Sequence, residues 1–292
     1  MKISKLNKGI LSTSSGSFLW GFVGTIYFQY IAFIGVIEVV VHRSIWTCVI
    51  LLITTTFFKK WNLLKKIFFN KRQMFTLLLT SILIFGNWTV WIYAVSTNKI
   101  IDASFGYFIF PIISVFFGYL FFKEKLNKKR IASIIFVTIA TIYLLITFST
   151  FPWVGISVAL LWSIYNLLRK KINVETDLGL LIESLFILPI SIIFFYFIVK
   201  TNQNDFSLNN PQLMALIFIT GPITVIPLFL YIKGVELAGL GTSGMVFFIT
   251  PTAQFLLGFF YFNEIFSYQK LISFILIWIA VFIYLKDLYE NN

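Results

Sequence analysis

The sequence predicts an all-α membrane protein, with ten transmembrane helices arranged as two inverted five-helix repeats. Composition comes first. Hydrophobic residues make up 59% of the 292-residue chain, charged residues 12%, and the mean hydropathy is +0.92. A soluble domain holds roughly 45–50% apolar and about 25% charged residues. Apolar runs recur at about the ~20 residues that a helix needs to cross ~30 Å of hydrocarbon, without the ten-residue alternation of a membrane barrel. Finally, residues 108–140 return at 248–280 without a gap. Phe108, Ile109, Pro111, Gly118, Phe122, Glu124, Ser133, Ile135, Ile139 and Ala140 all reappear at an offset of 140 residues. A Phe- and Ile-rich chain repeats some letters by chance, but not a Pro, a Gly and a Glu at one fixed offset.

The apolar runs place spans at approximately 9–33, 36–58, 74–95, 101–122, 131–148, 153–168, 178–199, 212–232, 240–262 and 271–285. Residues 1–150 then form one five-helix repeat and 151–292 the other. The links are short, which forces neighbouring helices antiparallel and leaves no room for a soluble catalytic domain. Function is therefore expected within the bilayer.

Charge orients the spans. With a cytoplasmic N-terminus, the basic residues at 2–8, 59–72, 123–130, 169–171, 233 and 286 all fall inside. Only Lys99, Lys200 and Lys270 remain outside, and Arg43 lies within the second span. Both termini are thus expected in the cytoplasm. The net charge of +12 reads as topology rather than nucleic-acid binding, because the cations sit in the links. Five spans per repeat is an odd number, so the two halves must lie upside down relative to each other, the arrangement from which alternating access follows.

Several polar side chains fall inside spans, where an ionisable group costs at least a few kcal/mol unless it meets a cavity, a partner or the interface. Glu38, His42 and Arg43 occupy i, i+4 and i+5, so Glu38 and His42 share a helix face and Arg43 stands about 100° round. One reading makes the cluster an interfacial anchor. The other has Arg43 meeting an anionic substrate group and His42 or Glu38 titrating during transport. Asn87, Trp88 and Trp91, near the middle of the third span, are candidate cavity residues, as are Trp20, Tyr107, Tyr165 and Asn166. Interface anchoring is expected of Trp162 more than of Trp20. Glu183 is the deepest acid, open either to proton transfer or to a structural pairing with Arg169 or Lys170.

Pro111 and Pro251 are paired helix breaks at corresponding places in the two halves, and such pairs mark a binding site near the midplane. Thr250 and Gln254 supply polar contacts beside Pro251. No Gly-rich phosphate loop followed by Lys and Ser or Thr occurs, and no HExxH. One His and one Cys make a side-chain metal cluster improbable. No cofactor or metal is expected, and a membrane enzyme acting on lipid would need paired intramembrane acids that are missing. A channel or non-transporting subunit would need no inverted repeat.

Six stretches together resemble the RarD subgroup of EamA-type transporters, within the drug/metabolite transporter superfamily: EVVVHRSIW (38–46), FGNW (85–88), DASFGYFIFP (102–111), RKKI (169–172), GLLIESLFILP (179–189) and PTAQFLLGFFYFNE (251–264). The resemblance spans almost the whole chain. It implies ten helices in inverted repeats, a central cavity, and secondary transport of small metabolites or drugs, usually as efflux, across a bacterial inner membrane. Residues 9–37 carry no acidic or basic side chain, so the lone first-helix glutamate of the superfamily's small multidrug members has no counterpart here. The expected protein is a monomer in the lipid bilayer whose partner is an amphipathic or amino-acid-like solute, with no nucleic acid involved.

Overall fold

A computed structural model describes residues 4–97, 100–146, 151–261 and 268–290, and those residues form helices and their links. The chain enters through α1 (Lys5–Phe18), a π-helical turn (Leu19–Gly24) and α2 (Thr25–Tyr30). It continues through α3 (Val36–Phe57), α4 (Trp61–Phe68), α5 (Lys71–Ser96), α6 (Ile100–Phe122) and α7 (Lys128–Ile146). The second half holds α8 (Trp153–Lys171), α9 (Thr176–Lys200), α10 (Pro211–Ala238), α11 (Leu240–Val246), α12 (Ile249–Phe260) and α13 (Tyr268–Glu290). Among the described residues, eight stretches are long and apolar enough to cross a membrane: α3, α5, the Phe105–Phe122 part of α6, α7, α9, α10, α11 with α12, and Leu271–Glu290 of α13. Two expected spans fall outside that set for visible reasons. The first is rich in Ser and Thr and is interrupted by its π-helical turn. The sixth, α8, carries Trp162, Ser163, Tyr165 and Asn166 and ends on Arg169, Lys170 and Lys171.

The link after α3 holds a helix that the sequence reading missed. α4 buries only Leu64 and Ile67, three residues apart on one face, and exposes Lys65 and Lys66. At eight residues it is too short to span a membrane.

Repeat counterparts meet in one of the two apolar cores. This core combines Phe105 with Met245, Phe108 with Phe248, Val137 with Ile277, Ala140 with Ala280, and Leu144 with Tyr284. Each pair is 140 residues apart, and the Phe108 and Phe248 rings stand 6.3 Å apart. Ser273 on α13 donates to the Ala140 carbonyl on α7 at 3.4 Å. Small residues permit the closest approaches: a Cβ at Gly106 would collide with the Gly155 carbonyl of α8, and one at Gly21 would lie 2.7 Å from the Thr250 carbonyl of α12.

The basic links gather at one end. Lys60 binds Asp177 at 2.6 Å and Glu175 at 2.7 Å, joining the end of α3 to the start of α9. Burial alone would lower the Lys60 ammonium, but the hydrogen bonds and charges of Asp177 and Glu175 outweigh it and raise its pKa. The Glu124 carboxylate accepts from the amides of Leu240 (2.7 Å) and Gly241 (2.8 Å) and from Lys170 (3.2 Å), so it caps the N-terminus of α11. That approach depends on Gly239, whose φ of 96° is costly for other residues. Glu264, the counterpart of Glu124, lies outside the described residues. Arg130 pairs with Asp287 at 2.9 Å and Lys129 with Glu290 at 3.0 Å, fastening α7 to α13.

The two paired prolines behave differently. α6 runs unbroken through Pro111. At the corresponding place α11 stops at Val246 and α12 restarts at Ile249, with Pro251 in the first turn of α12, where a missing N–H is tolerated.

Candidate functional site

Arg43 stands on α3 and is fully buried, at 0% exposure. Three rings surround its guanidinium. The Trp88 ring, from α5, lies 4.5 Å away, and the Trp20 and Phe28 rings, from the π-helical turn and α2, each lie 5.0 Å away. The π-helical turn rotates the chain between α1 and α2, so that Trp20 and Phe28 both present to the same cation; such turns are frequent at functional sites. Trp91 backs the assembly, 5.4 Å from Phe28 and 6.5 Å from Trp20. Ring faces stabilise a cation but do not accept its in-plane N–H bonds. None of the three guanidinium nitrogens has a hydrogen-bond partner among the described residues.

The intramembrane acids Glu38 and Glu183 are held elsewhere. Glu38 accepts from the amides of Asp205 at 2.9 Å and Phe206 at 2.9 Å, which ties α3 to the link before α10. His42 lies 3.8 Å from Glu38, packed between Phe195 (5.0 Å) and Phe206 (4.5 Å). This pair sits at the end of the bundle opposite the basic links. Its acid accepts charge-assisted hydrogen bonds from the amides of the link before α10. Glu183 is also committed: Thr80 donates to it at 2.6 Å and Tyr165 at 3.1 Å, and the Arg169 Nε stands 3.4 Å away. Of the pairings open to Glu183, the structure selects Arg169, while Lys170 goes to Glu124.

A small cavity is lined by residues from both ends of the sequence. Trp20, Asn87 and Tyr107 form one side of its wall, and Trp162, Tyr231 and Phe247 the other. The aromatics support one another edge to face: Tyr107 and Phe247 at 5.4 Å, Tyr231 and Phe247 at 5.2 Å. The Trp162 indole N–H and the Tyr231 hydroxyl are buried without a described partner. Asn87 donates to the Val158 carbonyl at 3.1 Å, which fixes its amide in the wall. A second small space is lined by Thr47, Trp88, Glu183 and Ser184, and it shares Leu228 with the first.

Trp20, Asn87 and Tyr107 line the cavity, Trp88 stacks on Arg43, and Trp91 packs behind Trp20 and Phe28. Trp162 corrects the expectation of an interfacial anchor. It is 7% exposed and stacks on Tyr165 at 5.3 Å, because α8 is wedged between α5, α6 and α10. Tyr165 faces Glu183, and Asn166 bonds back to the Trp162 carbonyl of its own helix at 2.8 Å. Thr250 donates to the Ser17 carbonyl at 3.0 Å and Gln254 to Thr25 at 3.3 Å, so both fasten α12 to the first helical run. The proline of the cavity wall is Pro227, while Pro111 and Pro251 are buried in the packing behind it. Tyr231, Phe247 and Phe28 were not singled out from the sequence, and nothing in their spacing separates them from ordinary core aromatics.

Comparison with known proteins agrees with this architecture. A solved crystal structure superposes over 94% of this chain and 96% of its own, with a TM-score of 0.69 at 12% identity, which establishes a shared fold. The EamA-like transporter family matches residues 7–146. An uncharacterized transporter from Vibrio cholerae is 33% identical over 280 residues, covering 96% of this chain and 92% of the relative. Protein RarD of Escherichia coli is 29% identical over 98% of this chain and 97% of its own, and the uncharacterized transporter YojE of Bacillus subtilis is 29% identical over 97% and 95%. A multi-pass helical bundle, the recurring motifs and near full-length similarity converge, and the chain belongs to the EamA-like transporter family.

Proposed function

We propose that this protein is a secondary transporter that exports a small amphipathic solute from the bacterial cytoplasm by alternating access through the cavity between its two halves. Ten crossings are counted in this reading, with the run from α1 to α2 and helix α8 joining the eight apolar stretches. Residues 1–150 and 151–292 are then inverted repeats of one transport domain. The observation that carries it is the core in which Phe108 meets Phe248 and Ala140, Ala280, Val137 and Ile277 gather. Residues beside a two-fold axis contact their own copies, and a two-fold axis in the membrane plane is what inversion requires. Both termini and the basic links are cytoplasmic, on charge asymmetry.

In this reading the seam of Glu124, Lys170 and the α11 N-terminus closes the cytoplasmic mouth, and the shared aromatic wall releases when the halves rock. Glu183 is the coupling acid. Protonating it weakens its hold on Arg169 across a desolvated contact, where charge matters most. The protein acts as a monomer.

The test is accessibility. In a Cys48→Ala background, Phe247→Cys should react with a membrane-impermeant methanethiosulfonate from either face, using right-side-out and inside-out vesicles. Reaction from one face only would make the cavity a blind pocket and overturn alternating access.

A further inference from the structure

The Arg43 cage specifies more about the cargo than its size. An arginine keeps its proton in proteins and offers five N–H donors in a planar fork. Here the whole fork is buried, none of its nitrogens has a hydrogen-bond partner among the described residues, and the carboxylates of Glu38 and Glu183 are held elsewhere by Asp205 and Phe206 amides or by Thr80, Tyr165 and Arg169. A buried charge without an anion is among the least favourable arrangements a membrane protein can hold, unless an anion visits. The cation lies one ring behind the cavity wall, because Trp20 packs on the guanidinium with one surface and lines the cavity with another. The rest of the wall is aromatic or apolar apart from Asn87, and no carboxylate is among the described residues that line it.

We propose that Arg43 anchors the anionic head of the cargo, and that the cargo is an amphipathic monoanion with an aromatic or apolar body and no ammonium group. The head group pairs with the fork as Trp20 turns aside on its π-helical turn, and the body lies against Trp162, Tyr231 and Phe247. An ammonium beside the carboxylate would enter a wall with no anion to receive it, so a zwitterion loses part of its hydration without compensation. The proposal rests on the transport reading for the word cargo, whereas the anion site stands or falls on binding alone.

The experiment uses three probes of one body: 3-phenylpropionate, phenylalanine and phenethylamine. Binding to the purified protein in a neutral detergent and chloride-free buffer is measured by calorimetry, with the thermal midpoint as a second readout. We expect saturable binding of 3-phenylpropionate, binding of phenylalanine weaker by about tenfold or more, and none of phenethylamine. Arg43→Gln should abolish binding of the anion. Because that variant could fail to fold, Arg43→Lys supplies the second arm: it keeps a cation and should weaken the anion by about tenfold, since an ammonium cannot reproduce the fork. Equal affinity for all three probes overturns the proposal. So does indifference to Arg43→Lys, or stabilisation by chloride alone with no response to 3-phenylpropionate. Arg43-dependent binding without counterflow of 3-phenylpropanesulfonate, a permanently charged analogue, would keep the site and overturn transport. Counterflow of phenethylamine without the anion would do the reverse.

Discussion

Phe108 and Phe248, counterparts at an offset of 140 residues, meet edge to face with ring centroids 6.3 Å apart and planes at 69°. Their contact brings the two copies of the duplicated stretch together in one apolar core. A double-mutant cycle of Phe108→Ala and Phe248→Ala, read by thermal or detergent unfolding, should give a coupling of about 0.5–1.5 kcal/mol, the range for aromatic pairs. Strict additivity would deny that the two rings support each other.

The Glu124 cap makes a second expectation. Removing the carboxylate leaves the Leu240 and Gly241 amides and the Lys170 ammonium without it. Glu124→Ala should lower stability by about 1–3 kcal/mol, the cost of orphaned donors, while Glu124→Gln should lose less because its amide oxygen still accepts. Equal losses for the two variants would show that the cap geometry contributes nothing.

Glu183 separates charge from shape. Glu183→Ala strands Arg169 in a buried site and should destabilise by about 3–5 kcal/mol. Glu183→Gln retains an acceptor for Thr80 and Tyr165 and should fold. If Glu183 couples transport to protons, the Gln variant should show flux that no longer varies with pH; an unchanged pH profile would leave Glu183 a purely structural partner of Arg169.

Close packing gives a contrast within one residue type. Gly106→Val drives a side chain into the Gly155 backbone and should yield no monodisperse protein. Gly86→Ala meets only the Leu161 methyls, at 3.6 and 3.8 Å, and should be tolerated. Comparable expression of the two would contradict the α6–α8 contact.

The sequence made the helix bounds legible because hydropathy and short links constrain them strongly: the expected 36–58 and 178–199 became Val36–Phe57 and Thr176–Lys200. Buried charge was legible too, since Glu183 and Arg43 stand out against apolar neighbours. Their partners were not. Glu183 was open to Arg169 or Lys170, and pairing across helices depends on rotations that one-dimensional spacing does not encode. In a chain with 20% aromatic residues, a cavity tryptophan such as Trp162 and an interface tryptophan look alike. The unequal fates of Pro111 and Pro251 also lay beyond the pattern, because a helix around proline breaks or continues according to which neighbours satisfy the freed carbonyl.

Counterflow tests the central claim most directly. Purified protein is reconstituted into liposomes loaded with unlabelled 3-phenylpropanesulfonate, and uptake of the labelled compound from outside is followed. The account predicts transient accumulation above equilibrium that disappears with Arg43→Gln and in liposomes without protein. Binding of the compound with no counterflow, under conditions where the protein remains folded, would contradict transport through the central cavity.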